Sequence, residues 1–233
     1  MKAIVLAAGV GSRLGVLTQK TPKCLLPVGC KPLLDYWFDS LSRAGVDDVL
    51  INLHHHADQV REHLAARDLT LHVETLFEPV LLGSAGTIRR AWDFVAGEES
   101  FFIVYADNFS RVDLSRLLAF HRAKQNPLLT LVAYPTDEPR RCGILELDGD
   151  GRVLSFEEKP TEPRSNFANS GIHVASAGLL EYLPETTPAD LGFHVLPRLV
   201  GRMFGYVTDE YIQDIGTMET YERVQRLLAD GTR

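Results

Sequence analysis

The stretch Leu6–Lys23, LAAGVGSRLGVLTQKTPK, decides the fold because two patterns meet in it. Lys2 to Ala8 is a short unbroken apolar run, the pattern of a strand buried on both faces in a parallel sheet. A turn-forming region follows, carrying Gly9, Gly11, Arg13 and Lys23. In an open parallel sheet, ligands collect beyond the carboxyl ends of the strands, which is where this loop must lie. Gly9 and Gly11 let backbone N–H groups approach a ligand closely, and such groups form a concavity suited to anions. Arg13 adds a planar fork and Lys23 a point charge, both complementary to phosphate oxygens. The loop is expected to hold a polyphosphate. A dinucleotide-binding turn also opens with Gly-x-Gly. Here Leu14 stands at its third glycine, and no acidic residue closes the second strand, which ends near Asn52 and His54.

Working outward, strands and helices alternate. Pro32 suits the first turn of a helix, with Leu33, Leu34, Trp37, Leu41 and Ala44 on one face and Gly45 as its stop. DDVLINLHH reads as a second strand, ADQVREHLAAR as a polar-faced helix and LTLHVETL as a third strand. SAGTIRRAWDFVAG reads as a helix capped by Ser84 and stopped by Gly97. FFIVYADN is a buried strand ending in a carboxylate, and a helix from Asp113 to Lys124 leads to the strand LLTLVAY. This alternation as far as Tyr134 predicts crossover units and a mainly parallel sheet. After Tyr134 come CGILEL and RVLSFEEKP, joined by a turn of Asp and Gly, then FANSGIHVAS, read as antiparallel additions to the same sheet. TMETYERVQRLLAD closes the chain as an amphipathic helix with Tyr221, Val224 and Leu228 on one side.

Composition narrows the classes. With 45% hydrophobic and 24% charged residues over 233, one sizeable core in a soluble protein is expected. A net charge of −7 argues against a nucleic-acid partner, which calls for a basic face. No apolar run is long enough to span a membrane, and MKAIVLAAG lacks the features of a signal peptide, so a cytoplasmic location is expected. Cys24, Cys30 and Cys142 are spaced neither as a disulfide framework nor as a zinc site and are read as reduced structural thiols. His54, His55 and His56 are consecutive at a strand end, so their side chains diverge and do not readily share a metal. Composition does not decide whether the chain forms a homo-oligomer.

LAAGVGSRLGVLTQKTPKCLLPVGCKPLLDY resembles the signature of the sugar-1-phosphate nucleotidylyltransferases: LAAG, then GxG, Ser, Arg, Leu, and further on Pro-Lys. Val16 replaces the usual proline before Leu17-Thr18, with the spacing to Lys23 kept. LGSAGT, YADN, FEEKP, NSGIHV and DIGTMETY extend the likeness, in order, over nearly the whole chain. The resemblance implies a Rossmann-like three-layer α/β/α nucleotidyltransferase fold in one domain, 1–233. Residues 1–134 would be its nucleotide-binding half and 135–233 its sugar-phosphate half.

Asp107 ends an apolar strand and Asp214 precedes the Gly-Thr pair that opens the last helix. Read alone, each fits a cap or turn at least as well as a ligand. The resemblance implies that both hold a catalytic Mg²⁺, although Ala106 and Met218 replace the family's usual Gly and Pro beside them. It further implies an NTP and a hexose or heptose 1-phosphate as substrates. Arg13 and Lys23 would face the α-phosphate and leaving pyrophosphate, and Lys159 the sugar phosphate. Ala8, Gly9, Gly11, Ser12, Gly83 and Gly86 would lie on the nucleotide side, and Gly143, Glu158 and Asn169 on the sugar side. INLHHH and DEYIQDIGT favour the mannose- and heptose-1-phosphate guanylyltransferase branch, hence GTP, with UTP or CTP as alternatives. Two other readings are a cytidylyltransferase for an alcohol phosphate such as phosphocholine and a nucleotide-binding regulatory homologue without turnover. Retention of both aspartates and all three cations argues against the second.

Overall fold

The computed structural model describes residues 1–231. The apolar run at the start forms β1 (Lys2–Leu6), and the loop after it folds into a tight turn at Ser12–Leu14 and a short helix α1 (Val16–Lys20). Next come β2 (Pro27–Val28), β3 (Lys31–Pro32), α2 (Leu33–Arg43), β4 (Asp48–Leu53), α3 (Ala57–Ala65) and β5 (His72–Phe77). They are followed by α4 (Gly83–Arg90), α5 (Trp92–Val95), β6 (Ser100–Tyr105), β7 (Asn108–Ser110), α6 (Leu114–Ala123) and β8 (Leu129–Pro135). The second half adds β9 (Gly143–Leu147), β10 (Val153–Glu158), β11 (Phe167–Ser176), β12 (Met203–Val207), β13 (Ile212–Asp214) and α7 (Met218–Ala229).

One nine-stranded sheet runs through both halves, in the order β10-β9-β11-β6-β1-β4-β5, with β8 beside β11 and β12 beside β8. β1 pairs parallel to β4 and β6, and β4 to β5, as the crossover pattern requires. β9, β10 and β11 are antiparallel, as expected for the second half. The alternation alone does not place β8. That strand runs in the same direction as β6 but is separated from it by β11, which pairs antiparallel with both.

Side chains alternate across the sheet and define three layers. Ala3, Val5, Phe102 and Val104 pack on one face against Trp37, Phe38 and Leu41 of α2 and Leu117 of α6. Ile4, Phe101 and Ile103 point the other way, to Ala85 and Ile88 of α4 and the turns around Leu191–Leu199. A smaller cluster of Leu14, Leu26, Phe109, Ile215 and Val224 seats the glycine loop on α7. The helix expected over 84–97 breaks at Ala91 into α4 and α5, and Ser84 does not cap it. Instead the Ser84 hydroxyl donates to Asp190 Oδ2 at 3.1 Å and accepts from the Leu191 N–H at 2.8 Å, tying α4 to the second half. Among the described residues no helix is long and apolar enough to cross a membrane.

Candidate active site

Asp107 and Asp214, far apart in sequence, meet because β7 and β13 form a short antiparallel ribbon that registers Asp214 against Asn108. The Ile215 N–H donates to the Asp107 carbonyl at 3.0 Å and fixes the pairing at its end. Lys23 reaches the same point from the glycine loop. Its Nζ donates to Asp107 Oδ2 at 2.9 Å and to Asp214 Oδ1 at 3.0 Å. The lysine side chain is only 7% exposed, whereas the two carboxylates are 41% and 48% exposed. An ammonium so far removed from water needs carboxylate partners, and these partners each keep a side toward solvent. Arg13 Nη2 lies 3.9 Å from Asp214 Oδ2. Gly216 makes that approach possible, because a Cβ there would stand 2.8 Å from Asp214 Oδ2 and 2.9 Å from Arg13 Nη2.

On one side of this cluster lies a cleft of about 280 Å³ walled by Ala8, Gly9, Gly83 and Ser84, with Lys23 and Asp107 among its lining. A buried polar network supports it. Asn52 Nδ2 donates to Glu78 Oε1 at 2.9 Å and to Thr87 Oγ1 at 3.1 Å, and Thr87 Oγ1 donates to Glu78 Oε1 at 2.6 Å. The Leu82 N–H donates to Glu78 Oε2 at 3.1 Å, and Asn52 Oδ1 accepts from the Ala7 N–H at 2.7 Å. The network thus braces the first residue of the glycine loop against the carboxyl end of β4. Gly11, Ser12 and Gly86, expected on the nucleotide side, are not in this wall. Ser12 lines a separate shallow depression with Val10 and His55, the Gly11 carbonyl accepts from Thr18 Oγ1 at 2.9 Å, and Gly86 packs against Thr187.

On the other side, Gly143, Glu158, Lys159 and Asn169 line a second cleft of about 290 Å³ together with Asp107 and Asp214. Glu158 lies between Gly143 and Gly192, where an added Cβ would come within 2.6 Å and 2.4 Å of its Oε2. Burial raises the Glu158 carboxyl above its ordinary range, against the pull of the Lys159 cation. Lys159 follows at φ 52°, an unfavourable value for a residue with a side chain. Its N–H is tied to the Cys142 carbonyl at 2.9 Å, and its ammonium lies 5.7 Å from the Phe193 ring. The two clefts share Tyr105, Asp107 and Asp190. An arrangement of this kind can hold two anionic molecules with their reactive ends at a common cluster of charge.

The sequence does not single out Asn52, Glu78, Tyr105 and Asp190 as site residues. Asn52 leaves a trace there, as a polar residue near the end of an apolar strand, and Glu78 a weaker one, as a polar residue just after a mixed strand; Asp190 leaves none. His54 bonds the Glu78 carbonyl through Nδ1 at 2.7 Å, while His56 bonds the Gln19 carbonyl through Nε2 at 3.1 Å, so the two serve different segments. Cys24 is buried beside Lys23, and burial pushes its thiol up to about 12.

Among known proteins, the catalytic subunit beta of mannose-1-phosphate guanylyltransferase from Drosophila pseudoobscura pseudoobscura is 32% identical over 222 residues, covering 92% of this chain and 59% of that one. The D-glycero-alpha-D-manno-heptose 1-phosphate guanylyltransferase of Aneurinibacillus thermoaerophilus is 29% identical over 230 residues, with 98% of each chain covered. The crystal structure of HddC from Yersinia pseudotuberculosis superposes with a TM-score of 0.81 at 25% identity, covering 97% of this chain and 99% of that one. Other relatives are named for uridylyl or adenylyl transfer. The chain spans 55% to 59% of the length of several curated relatives it matches. The sequence model of the nucleotidyl transferase family matches residues 2–231, and the chain belongs to that family.

Proposed function

We propose that this protein transfers a guanylyl group from GTP to a hexose or heptose 1-phosphate, giving an NDP-sugar and pyrophosphate. The observation that carries this reading is the cluster of Lys23, Asp107 and Asp214 at the border of two clefts. The first has glycine walls beside the phosphate-binding loop. The second is lined by hydroxyl-binding side chains and a cation.

In this reaction an oxygen of the sugar phosphate attacks the α-phosphorus, and the bond to the bridging oxygen breaks with its electron pair going to pyrophosphate. The second pKa of a phosphate monoester is about 6, so the nucleophile is already a dianion at neutral pH and needs no general base. The obstacle is repulsion between anions and charge growing on the leaving group, which calls for alignment and fixed positive charge. Lys23 and Arg13 supply that charge from the loop, and Lys159 holds the sugar phosphate. The aspartates suit Mg²⁺, which takes hard oxygen ligands from one or two carboxylates plus substrate phosphates. Both retain exposed carboxylates facing the clefts. When bound there, Mg²⁺ would screen the triphosphate charge.

Glu78 supports the choice of base. A carboxylate oxygen accepts hydrogen bonds; guanine presents two adjacent donors, N1–H and N2–H₂, uracil only one, N3–H, and adenine and cytosine a bare ring nitrogen at the same place. Glu78 is only 2% exposed and lines the cleft, and among the described residues its Oε2 accepts from the Leu82 N–H alone. The test is a panel of four NTPs against several sugar 1-phosphates with pyrophosphate detection. Release is expected only when both substrates are present, fastest with GTP. Release without the sugar phosphate, or none in any combination, would overturn the reading.

A further inference from the structure

Asn169 and His173 are four residues apart on β11, a separation of about 13 Å in a regular strand. In this structure His173 Nε2 lies 3.0 Å from Asn169 Oδ1. The contact exists because the pairing of β11 with β8 is irregular between Asn169 and His173, and Gly171, at φ 79°, turns the chain within that interval. The backbone departs from a strand at the place where the two side chains are brought together.

The hydrogen bonds around Asn169 settle which way its amide faces. The Gly171 N–H, 3.1 Å from Oδ1, can only donate, so the atom it meets is the carbonyl oxygen and not the NH₂. The His173 nitrogen that meets the same oxygen must then carry a hydrogen. His173 is fully buried, and its Nδ1 makes no hydrogen bond among the described residues. Burial lowers the imidazole to about 3, outweighing the opposing pull of the Ile103 backbone, so it is neutral, and the contact with the Asn169 oxygen places its proton on Nε2. Two donors therefore occupy Oδ1, and the remaining part of the amide is its NH₂. Asn169 lines the sugar-side cleft together with Glu158, whose carboxylate accepts hydrogen bonds.

We infer that His173 is a positioning residue that sets the polarity of the sugar subsite: by holding the Asn169 carbonyl it leaves the amide NH₂ as the group offered to a sugar hydroxyl, opposite the acceptor Glu158. A hydroxyl can accept from Asn169 while a neighbouring hydroxyl donates to Glu158, so the subsite selects a polyhydroxylated substrate. This inference rests on the function proposed above.

The experiment uses the full chain with GTP and mannose 1-phosphate. His173→Leu is expected to raise KM for mannose 1-phosphate roughly 10-fold, the size of one lost hydrogen bond, with KM for GTP within about twofold. His173→Gln, which can donate to the same oxygen, is expected to restore most of the loss. In an Asn169→Ala background, His173→Leu is expected to add less than about twofold, since nothing is left to position. A loss that multiplies in that background, or an equal rise in both KM values, would overturn the inference. Asn169→Asp keeps both accepted bonds and replaces the NH₂ by a second acceptor, so it reads the same claim without touching the buried histidine. It should raise KM for mannose 1-phosphate as much as Asn169→Ala, and an unchanged KM would overturn the inference. A wild-type protein silent toward every NTP and sugar 1-phosphate pair would overturn the proposed function instead.

Discussion

The two clefts are built by different means. The nucleotide side rises from regular elements: the carboxyl ends of parallel β1 and β4, the start of α4, and a buried Asn52–Glu78–Thr87 network beneath them. The sugar side depends on departures from regularity: Lys159 at positive φ, the irregular register of β11, and a wide helical turn over Leu191–Val195 that brings Gly192 against Glu158. Strand direction alone is enough to place the glycine loop and its cations at the edge where the triphosphate is proposed to bind. Strained backbone and close glycine contacts are what fix the groups proposed to meet the sugar, and such positions carry a cost that persists where function uses them.

That contrast can be broken or sharpened by substitution. The largest effect is expected at the shared border. Lys23→Ala leaves Asp107 and Asp214 facing each other without their cation and removes charge from the leaving group, so kcat should fall by about 10²–10³-fold or more. Steady-state kinetics showing a loss below about fivefold would mean that the border is not where the chemistry occurs.

On the sugar side, Glu158→Gln should raise KM for the sugar 1-phosphate by on the order of 10- to 100-fold and leave KM for GTP nearly unchanged. The pH dependence has a defined sign. Because burial raises the Glu158 carboxyl above the usual 4.5, the accepting ionised form is lost as pH falls through that raised value. The sugar phosphate's own ionisation near 6 is common to both enzymes. The wild-type to Glu158→Gln ratio of kcat/KM should therefore fall as pH is lowered, the fall beginning above 4.5. A ratio constant down to pH 4.5 would contradict the buried-acceptor assignment.

On the nucleotide side, Glu78→Gln puts an NH₂ among donors from Asn52, Thr87 and Leu82 or turns it toward the base. Either outcome should lower kcat/KM for GTP by about 10-fold relative to UTP. Equal loss with every NTP would mark Glu78 as a support for the loop and not a reader of the base. The smallest effect is expected for Arg13→Ala. Its side chain is 63% exposed and 3.9 Å from Asp214, so solvent screens it, and a loss of only about three- to fivefold in kcat is expected.

The same contrast governs what the sequence discloses. β1, β4, β6 and the loop between Gly9 and Lys23 are legible because buried parallel strands and their terminal loops have a distinctive apolar run followed by glycines and cations. The convergence of Arg13, Lys23, Asp107 and Asp214 is an implication of the family resemblance, because a strand end or helix start alone fits a cap or turn at least as well as a ligand. Four features escape such reading. β8 lies beside β11 and not β6, because β11 arrives from later in the chain and inserts between them. Ser84 looks like a helix cap but bonds Asp190, since a long-range partner outcompetes the local one. Gly11, Ser12 and Gly86 carry the motif yet shape the loop and α4 from outside the cleft wall. Asp190 gains its setting from tertiary packing alone, which leaves no periodicity to detect, and Glu78 leaves only the trace of a polar residue after a strand.

The most direct measurement is a single-turnover rate for Asp214→Asn with GTP and mannose 1-phosphate both saturating, alongside equilibrium binding of each. The account predicts a chemical step slowed by on the order of 10²-fold or more, with the affinity for mannose 1-phosphate within about twofold of wild type. A chemical rate within about threefold of wild type would contradict it, because a carboxylate of the cluster at the border of the clefts would then take no part in the transfer.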